Sequence, residues 1–174
     1  MLTVIVIFSI RPGCTHLVKE LLASRLHEEE AGDRVALFAT EIGEVNTLWT
    51  FHACSDLEAT LARLDVWIDR LRRNGAEPWL RHVLMETFRV DATGLGLDTL
   101  AQDTHDTILL QEFAGTVPEL PTTAVVLHPL CGKQGRHWVL RPSATPDEAL
   151  ELALHDAWRT DASLSTSAML VRPT

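Results

Sequence analysis

With 174 residues, 46% of them hydrophobic, the chain is long enough to bury one sizeable core or two small units that share one. Fifteen Lys and Arg stand against twenty-four Asp and Glu, giving a net charge of −9 with the basic residues scattered, so nucleic acid and anionic membrane are poor partners. The longest apolar run, around Val4 to Phe8, is far short of the roughly 20 residues of a membrane span and lacks the flanks of a secretory signal, so a cytoplasmic protein is expected. Three cysteines, Cys14, Cys54 and Cys131, have no C-x-x-C spacing and indicate neither a disulfide framework nor a zinc knuckle.

In chain order, Leu2 to Ile10 reads as a strand stopped by Arg11-Pro12-Gly13. Thr15 then caps a helix predicted to reach about Glu30, with Leu17, Val18, Leu21, Leu22 and Leu26 at helical spacing. Arg34 to Glu41 and Asn46 to Cys54 form a hairpin that turns at Gly43. Ser55 or Asp56 caps a second helix whose buried stripe is Leu57, Leu61, Leu64, Trp67, Ile68 and Leu71, and Gly75 ends it. Pro78 to about Met85 reads as a short further helical piece, since proline is tolerated in a first turn, and Glu86 to Val90 as a fourth strand.

This order, β-α-β-β-α-β, predicts an α+β fold with a ferredoxin-like unit over residues 1–92. Such a unit carries its helices on one face of the sheet, and the other face needs a partner, either a second copy or a second half. Residues 93–106 change to Gly, Thr and Asp and read as a linker. Over 107–174, Ile108 to Ala114, Ala124 to Leu130, His137 to Arg141 and Ser165 to Val171 read as strands, and Thr145 to Arg159 as a helix. That repeats the first unit without its first helix, because Pro118 and Pro121 oppose a helix between Ala114 and Ala124. The second unit is therefore read as a degenerate repeat.

The stretch Thr40-Glu41-Ile42-Gly43-Glu44-Val45-Asn46, followed by a strand and by Ser55-Asp56-Leu57-Glu58-Ala59 at a helix start, resembles the signature of the NIPSNAP branch of the dimeric α/β-barrel proteins. Arg11-Pro12-Gly13 is similar to the first turn of that family, and the resemblance covers roughly residues 4 to 90. It implies a dimeric α/β barrel and a homodimer. It implies little chemistry, because related barrels include cofactor-independent monooxygenases, isomerases, cyclases and haem-dependent enzymes. The family's His, Trp and Tyr along the third strand correspond here to Thr50, His52 and Cys54, and an Arg usual early in the second helix is Thr60.

In enzymatic relatives the ligand cleft lies between the sheet and its own helices. Strand periodicity puts Asn46, Leu48, Thr50, His52 and Cys54 on one face, and Thr47, Trp49, Phe51 and Ala53 on the other. His52 is thus the candidate general base, with Glu41, Asn46, Thr50, Cys54, Trp67 and Trp79 as candidate substrate-binding residues. Each has a plainer role too: a core histidine, hairpin geometry for Glu41 and Asn46, helix packing for the tryptophans. Cys14 and His16 at the first helix start, His27 beside Glu28 to Glu30, and His105 between Asp103 and Asp106 are weaker candidates. His128, Cys131 and His137 flank the second hairpin and are better placed to converge, though without a known metal-ligand spacing. No nucleotide motif is present, and no metal or cofactor is expected. The expected function is a small cofactor-independent enzyme, monooxygenase-, isomerase- or dehydratase-like, acting on a hydrophobic small molecule. The alternative is a non-catalytic binding or assembly protein.

Overall fold

The computed structural model describes residues 1–26, 35–91, 95–101, 105–115, 123–131, 135–157 and 164–172. Its elements are β1 (Leu2–Ile10), α1 (Thr15–Leu26), β2 (Val35–Ile42), β3 (Thr47–Cys54), α2 (Leu57–Leu71), β4 (Leu80–Val90), β5 (Thr107–Ala114), β6 (Val125–Pro129), β7 (Arg136–Ser143), α3 (Pro146–Ala157) and β8 (Leu164–Val171). The strands close a barrel in the order β1-β3-β2-β8-β5-β7-β6-β4, and each neighbouring pair is antiparallel.

Each half contributes four strands with the same connectivity, β4-β1-β3-β2 and β8-β5-β7-β6. The halves meet at two seams, β2 with β8 and β4 with β6. The partner for the uncovered face of the first sheet is therefore the second half of the same chain. Register makes the repeat explicit: β1 and β3 pair from Leu2↔Cys54 to Ser9↔Thr47, and β5 and β7 from Thr107↔Ser143 to Ala114↔Arg136. In this register Trp49 and Trp138 occupy equivalent places, and their rings meet edge-on at 5.7 Å inside the barrel.

β1 is apolar on both sides because both are covered. Ile5, with Phe38, Trp49, Phe51, Phe88, Ile108, Leu110, Leu127, Leu140 and Leu170, fills the barrel interior. Val4, Val6, Phe8 and Ile10 face outward and are buried beneath α1 and α2 together with Leu22, Leu64, Trp67 and Leu71. A short 3₁₀ turn, Leu97–Ala101, lies in the stretch expected to be a plain linker. Leu97 and Leu100 are buried in the barrel core, so this stretch packs against the interior as well as joining the halves. α3 covers the outer face of the second sheet at Leu109 and Met169 through Ala149, Leu152 and Ala153. It begins with a capping box, in which Thr145 Oγ1 accepts from Glu148 N–H at 3.2 Å and Glu148 Oε2 from Ala144 N–H at 2.8 Å. No helix among the described residues is long and apolar enough to cross a membrane.

The helical piece expected from Pro78 to Met85 is instead a turn at Pro78 and Trp79 followed by strand from Leu80. After Gly75 (φ +104) ends a π-type turn at Arg72–Ala76, β4 runs from Leu80 and pairs with the whole of β1. The ladder with β1 takes up the backbone groups on one edge of Leu80 to Met85, and this tertiary pairing overrides the local helix signal. The predicted end of α1 at Glu30, the His27 cluster, Asp103, Pro118, Pro121 and Arg159 lie outside the described residues.

Gly43 closes the β2–β3 hairpin with φ +119, and a Cβ there would lie 3.1 Å from Ala168 Cβ on β8. Gly43→Ala therefore combines a strained dihedral with a clash at the seam between the halves. It is expected to cost about 2–3 kcal/mol in urea unfolding; a loss below roughly 0.5 kcal/mol would contradict this packing of β2 against β8.

Candidate functional site

α2 is held in place by Asp56, whose side chain accepts from Ala59 N–H at 3.1 Å, and by Glu58 in its first turn. Its buried stripe, Thr60, Leu64, Trp67, Ile68 and Leu71, faces the outer side of the first sheet. There Trp67 meets Phe8 edge-on at 5.8 Å and the His52 ring at 5.6 Å. His52 Nε2 is 2.9 Å from Thr50 Oγ1, a hydrogen bond whose direction follows the tautomer. Cys54 completes the row on β3 and is buried. The alternation of β3 thus resolves cleanly: Leu48, Thr50, His52 and Cys54 face the helices, and Trp49, Phe51 and Ala53 face the interior.

His52 is 2% exposed, and burial pushes its pKa from 6.5 down to about 3, with the positive charge of Arg63 adding to the effect. The imidazole is therefore neutral at any physiological pH. Beside it, the Trp67 indole N–H is buried without a hydrogen-bond partner. A neutral imidazole, a hydroxyl and an unused N–H donor together form a small polar island in an apolar layer. Chemically, such an island can accept a proton from, or donate a hydrogen bond to, a group placed between α2 and the sheet.

The structure does not bring Glu41 and Asn46 to this island. Asn46 precedes β3 by one residue and stands six residues from His52, about 20 Å along an extended strand. It adopts φ +63, accepts at its side-chain oxygen from Thr15 Oγ1 at 3.1 Å, and its carbonyl accepts from Ile10 N–H at 2.9 Å, all of which serve the turn. Glu41 is exposed at the end of β2. Trp79 packs at the edge of the helix layer, and its carbonyl accepts from Arg11 N–H at 2.8 Å. Cys14 is half-buried against the same layer. A groove of about 350 Å³ lined by Asp65, Ile68, Asp69, Arg72, Val83 and Met85 runs between α2 and β4, separated from His52 by β1.

Around the second hairpin, His128 and His137 do converge, with their Nδ1 atoms 2.8 Å apart and the rings edge-on. Their third member is Asp91, whose Oδ2 is 3.3 Å from His128 Nε2, and not Cys131, which is exposed. The pKa of His137 is lowered by desolvation and by the charge of His128, against a raising hydrogen bond to the Gly115 backbone. Among the described residues no group of three or more His, Cys, Asp or Glu side chains is arranged for a metal ion. Asp91 escaped the sequence reading because it stands at the end of the first unit, just before the stretch taken as linker, and carries no motif.

No protein-family profile and no curated protein sequence matches this chain. Among solved structures, the chain is similar in fold to a protein from Lactobacillus acidophilus provisionally named a monooxygenase. That match has a TM-score of 0.65 at 10% identity and covers 99% of this chain and 94% of the other. It is similar to an anthrone oxidase-like protein, with a TM-score of 0.58 at 12% identity over 99% and 91% of the two chains. A third structure, provisionally named a chlorite dismutase, matches with a TM-score of 0.61 at 9% identity over 100% and 96%. At these identities the likeness concerns the fold, an antiparallel α/β barrel built here from the two halves of one chain.

Proposed function

We propose that the chain is a small cofactor-independent enzyme, monooxygenase-, isomerase- or dehydratase-like, that acts on a hydrophobic small molecule on the helix side of its first sheet. The observation that carries this reading is the neutral His52, bonded to Thr50 and faced by a Trp67 whose indole N–H has no partner. The imidazole is unprotonated at every working pH and so has its lone pair available to accept a proton from a carbon acid; the transfer forms an imidazolium and a carbanion, and the unused Trp67 N–H is a donor for the negative charge that develops. Because His52 is 2% exposed, substrate entry requires α2 to separate from the sheet. The structural neighbours carry enzyme names, monooxygenase, anthrone oxidase-like and chlorite dismutase, which supports an enzyme on this fold; their substrates are not carried over to this chain. The narrower likeness to the NIPSNAP branch rests on Thr40 to Asn46 and the helix cap after β3.

The test is turnover of a panel of phenols, anthrones and β-diketones by the wild type, His52→Gln and His52→Ala. Loss of a general base is expected to lower kcat by roughly 10²- to 10⁴-fold. Unreduced turnover in a folded His52→Gln protein would remove His52 from the reaction. A second reading, a barrel that binds without catalysing, is favoured by the near-complete enclosure of His52; saturable binding of a panel member with no wild-type turnover would establish it.

A further inference from the structure

The seam between β4 and β6 is short. It has the register pairs Phe88↔Pro129, Arg89↔His128 and Val90↔Leu127, and the backbone bonds Asp91 N–H to Val126 O and Leu130 N–H to Thr87 O, each 2.9 Å. Three side chains run across it. Asp91 follows β4, His128 stands on β6, and His137, one step past the Leu127↔Trp138 pair, stands beside it on β7. Asp91 Oδ2 is 3.3 Å from His128 Nε2, and His128 Nδ1 is 2.8 Å from His137 Nδ1. The His128 and Asp91 side chains are 24% and 33% exposed, so solvent protons reach them, unlike the enclosed His52.

Counting protons fixes the tautomers. An ionised carboxylate only accepts, so the proton between Asp91 and His128 sits on Nε2, and neutral His128 keeps a lone pair on Nδ1. His137 must then donate from Nδ1, which leaves its own lone pair on Nε2. A first added proton goes to that Nε2 and keeps the Nδ1 contact intact. A second has only His128 Nδ1 left to bind. Two N–H donors on two positive rings would then face each other at 2.8 Å, and the contact cannot persist.

Among the described residues, the charged groups nearby do not offset this. Asp91 supplies one negative charge, and Arg89, exposed opposite His128 on β4, adds a positive one. The Gly115 backbone after β5 favours the charged His137 ring. Arg136 of β7 is engaged by Glu112 of β5 at 2.8 Å on the face that carries Trp138 into the interior, and Arg141 lies four residues further along β7. α3 meets the second sheet through Ala149, Leu152 and Ala153, all uncharged. At the other seam the residue after the last strand is Arg172, whose guanidinium lies 5.2 Å over Phe38 and donates to Leu100 O at 3.0 Å. Arginine stays charged, so that contact does not respond to protons.

We propose that Asp91, His128 and His137 form a proton-operated clasp on the β4–β6 seam, closed at neutral pH and released in acid, so that this edge of the barrel parts before the rest of the fold. Because the contact exists only while the pair lacks its second proton, folding disfavours that protonation. The stabilisation is therefore present above the ordinary histidine value of about 6.5 and is lost as the pH falls below it. The clasp lies on the second half and does not rest on the proposed reaction.

Two measurements on the full chain test it. Long-range 1H–15N correlation of the labelled imidazoles at neutral pH is expected to show His128 protonated at Nε2 and His137 at Nδ1; a proton on His128 Nδ1 instead would overturn the clasp. Amide exchange between about pH 7 and pH 5 is read as protection of Asp91 and Leu130 relative to Ile5, in the middle of the β1 ladders. That ratio is expected to fall roughly tenfold in the wild type. It should stay level in His137→Gln and in His128→Gln, whose amides can hydrogen-bond to the remaining ring but take up no proton. A level ratio in the wild type, or an equal fall in either variant, would overturn the proposal.

Discussion

Replacing Trp67 by alanine is expected to destabilise the protein by about 3–5 kcal/mol, the largest effect anticipated for a single side chain here. Trp67 is 1% exposed, and its indole fills the space between α2 and the first sheet, against Phe8 on β1 and His52 on β3. Truncation would open a cavity that its neighbours, anchored in the β1–β3 ladder, can only partly close. Urea denaturation would measure the loss, and Val66→Ala on the same helix, at a residue 56% exposed, provides the reference for a change near zero. A Trp67→Ala loss below about 1 kcal/mol would mean that α2 does not pack on the sheet through this residue.

The second large effect is a dependence of stability on pH that belongs to His52. Its folded pKa, about 3, lies below the ordinary 6.5 expected of the unfolded chain, so the folded state disfavours the charged ring. The stabilisation is therefore fully present above pH 6.5 and is lost as the pH falls through the window from 6.5 to about 3. Within that window the slope approaches 1.4 kcal/mol per pH unit, and the total is on the order of 5 kcal/mol. Carboxylates titrate over the lower part of the same range, so the contribution is isolated by difference. His52→Gln retains a hydrogen-bonding group for Thr50 but cannot titrate, and unfolding free energies between pH 7 and pH 4 should fall less steeply for it than for the wild type. Parallel curves would show that the imidazole charges freely in the folded protein and is not enclosed as described.

Much of the architecture was legible in the sequence because it rests on patterns that periodicity reports directly. The alternation from Leu48 to Cys54 separates a helix-facing row from an interior row, and the stripe Leu64, Trp67, Ile68 and Leu71 marks the buried side of α2. The helix signal over Pro78 to Met85 does not prevail because the conformation of Leu80 to Met85 comes from pairing with β1, a contact to residues 70 or more positions away that no local window contains. The same reason hid the role of Leu97 and Leu100: two leucines amid Gly, Thr and Asp look like a linker until the barrel they enter is known.

The candidate site was legible to a lesser degree. Periodicity grouped Thr50, His52 and Cys54, and the fold added Trp67 to them. Asn46 and Glu41 share the parity or the neighbourhood of that row, but parity says nothing about distance along a strand, and some 20 Å separates Asn46 from His52. Pairings between strands remote in sequence, such as Asp91 with His128, follow from register, which the sequence of either strand alone does not specify.

The closed barrel, and with it the enclosure of His52, depends on both sheets coming from one chain, which can be read directly from the seams. In a sample mixing 13C-labelled and unlabelled protein, isotope-filtered NOE spectra report only contacts between chains. The strand pairs Thr40–Leu170 and Arg89–His128 span the two seams. Their cross-strand NOEs are expected in the uniformly labelled protein and absent from the filtered spectrum. The same NOEs appearing between labelled and unlabelled chains would contradict the closed single-chain barrel and with it the placement of His52 and His128.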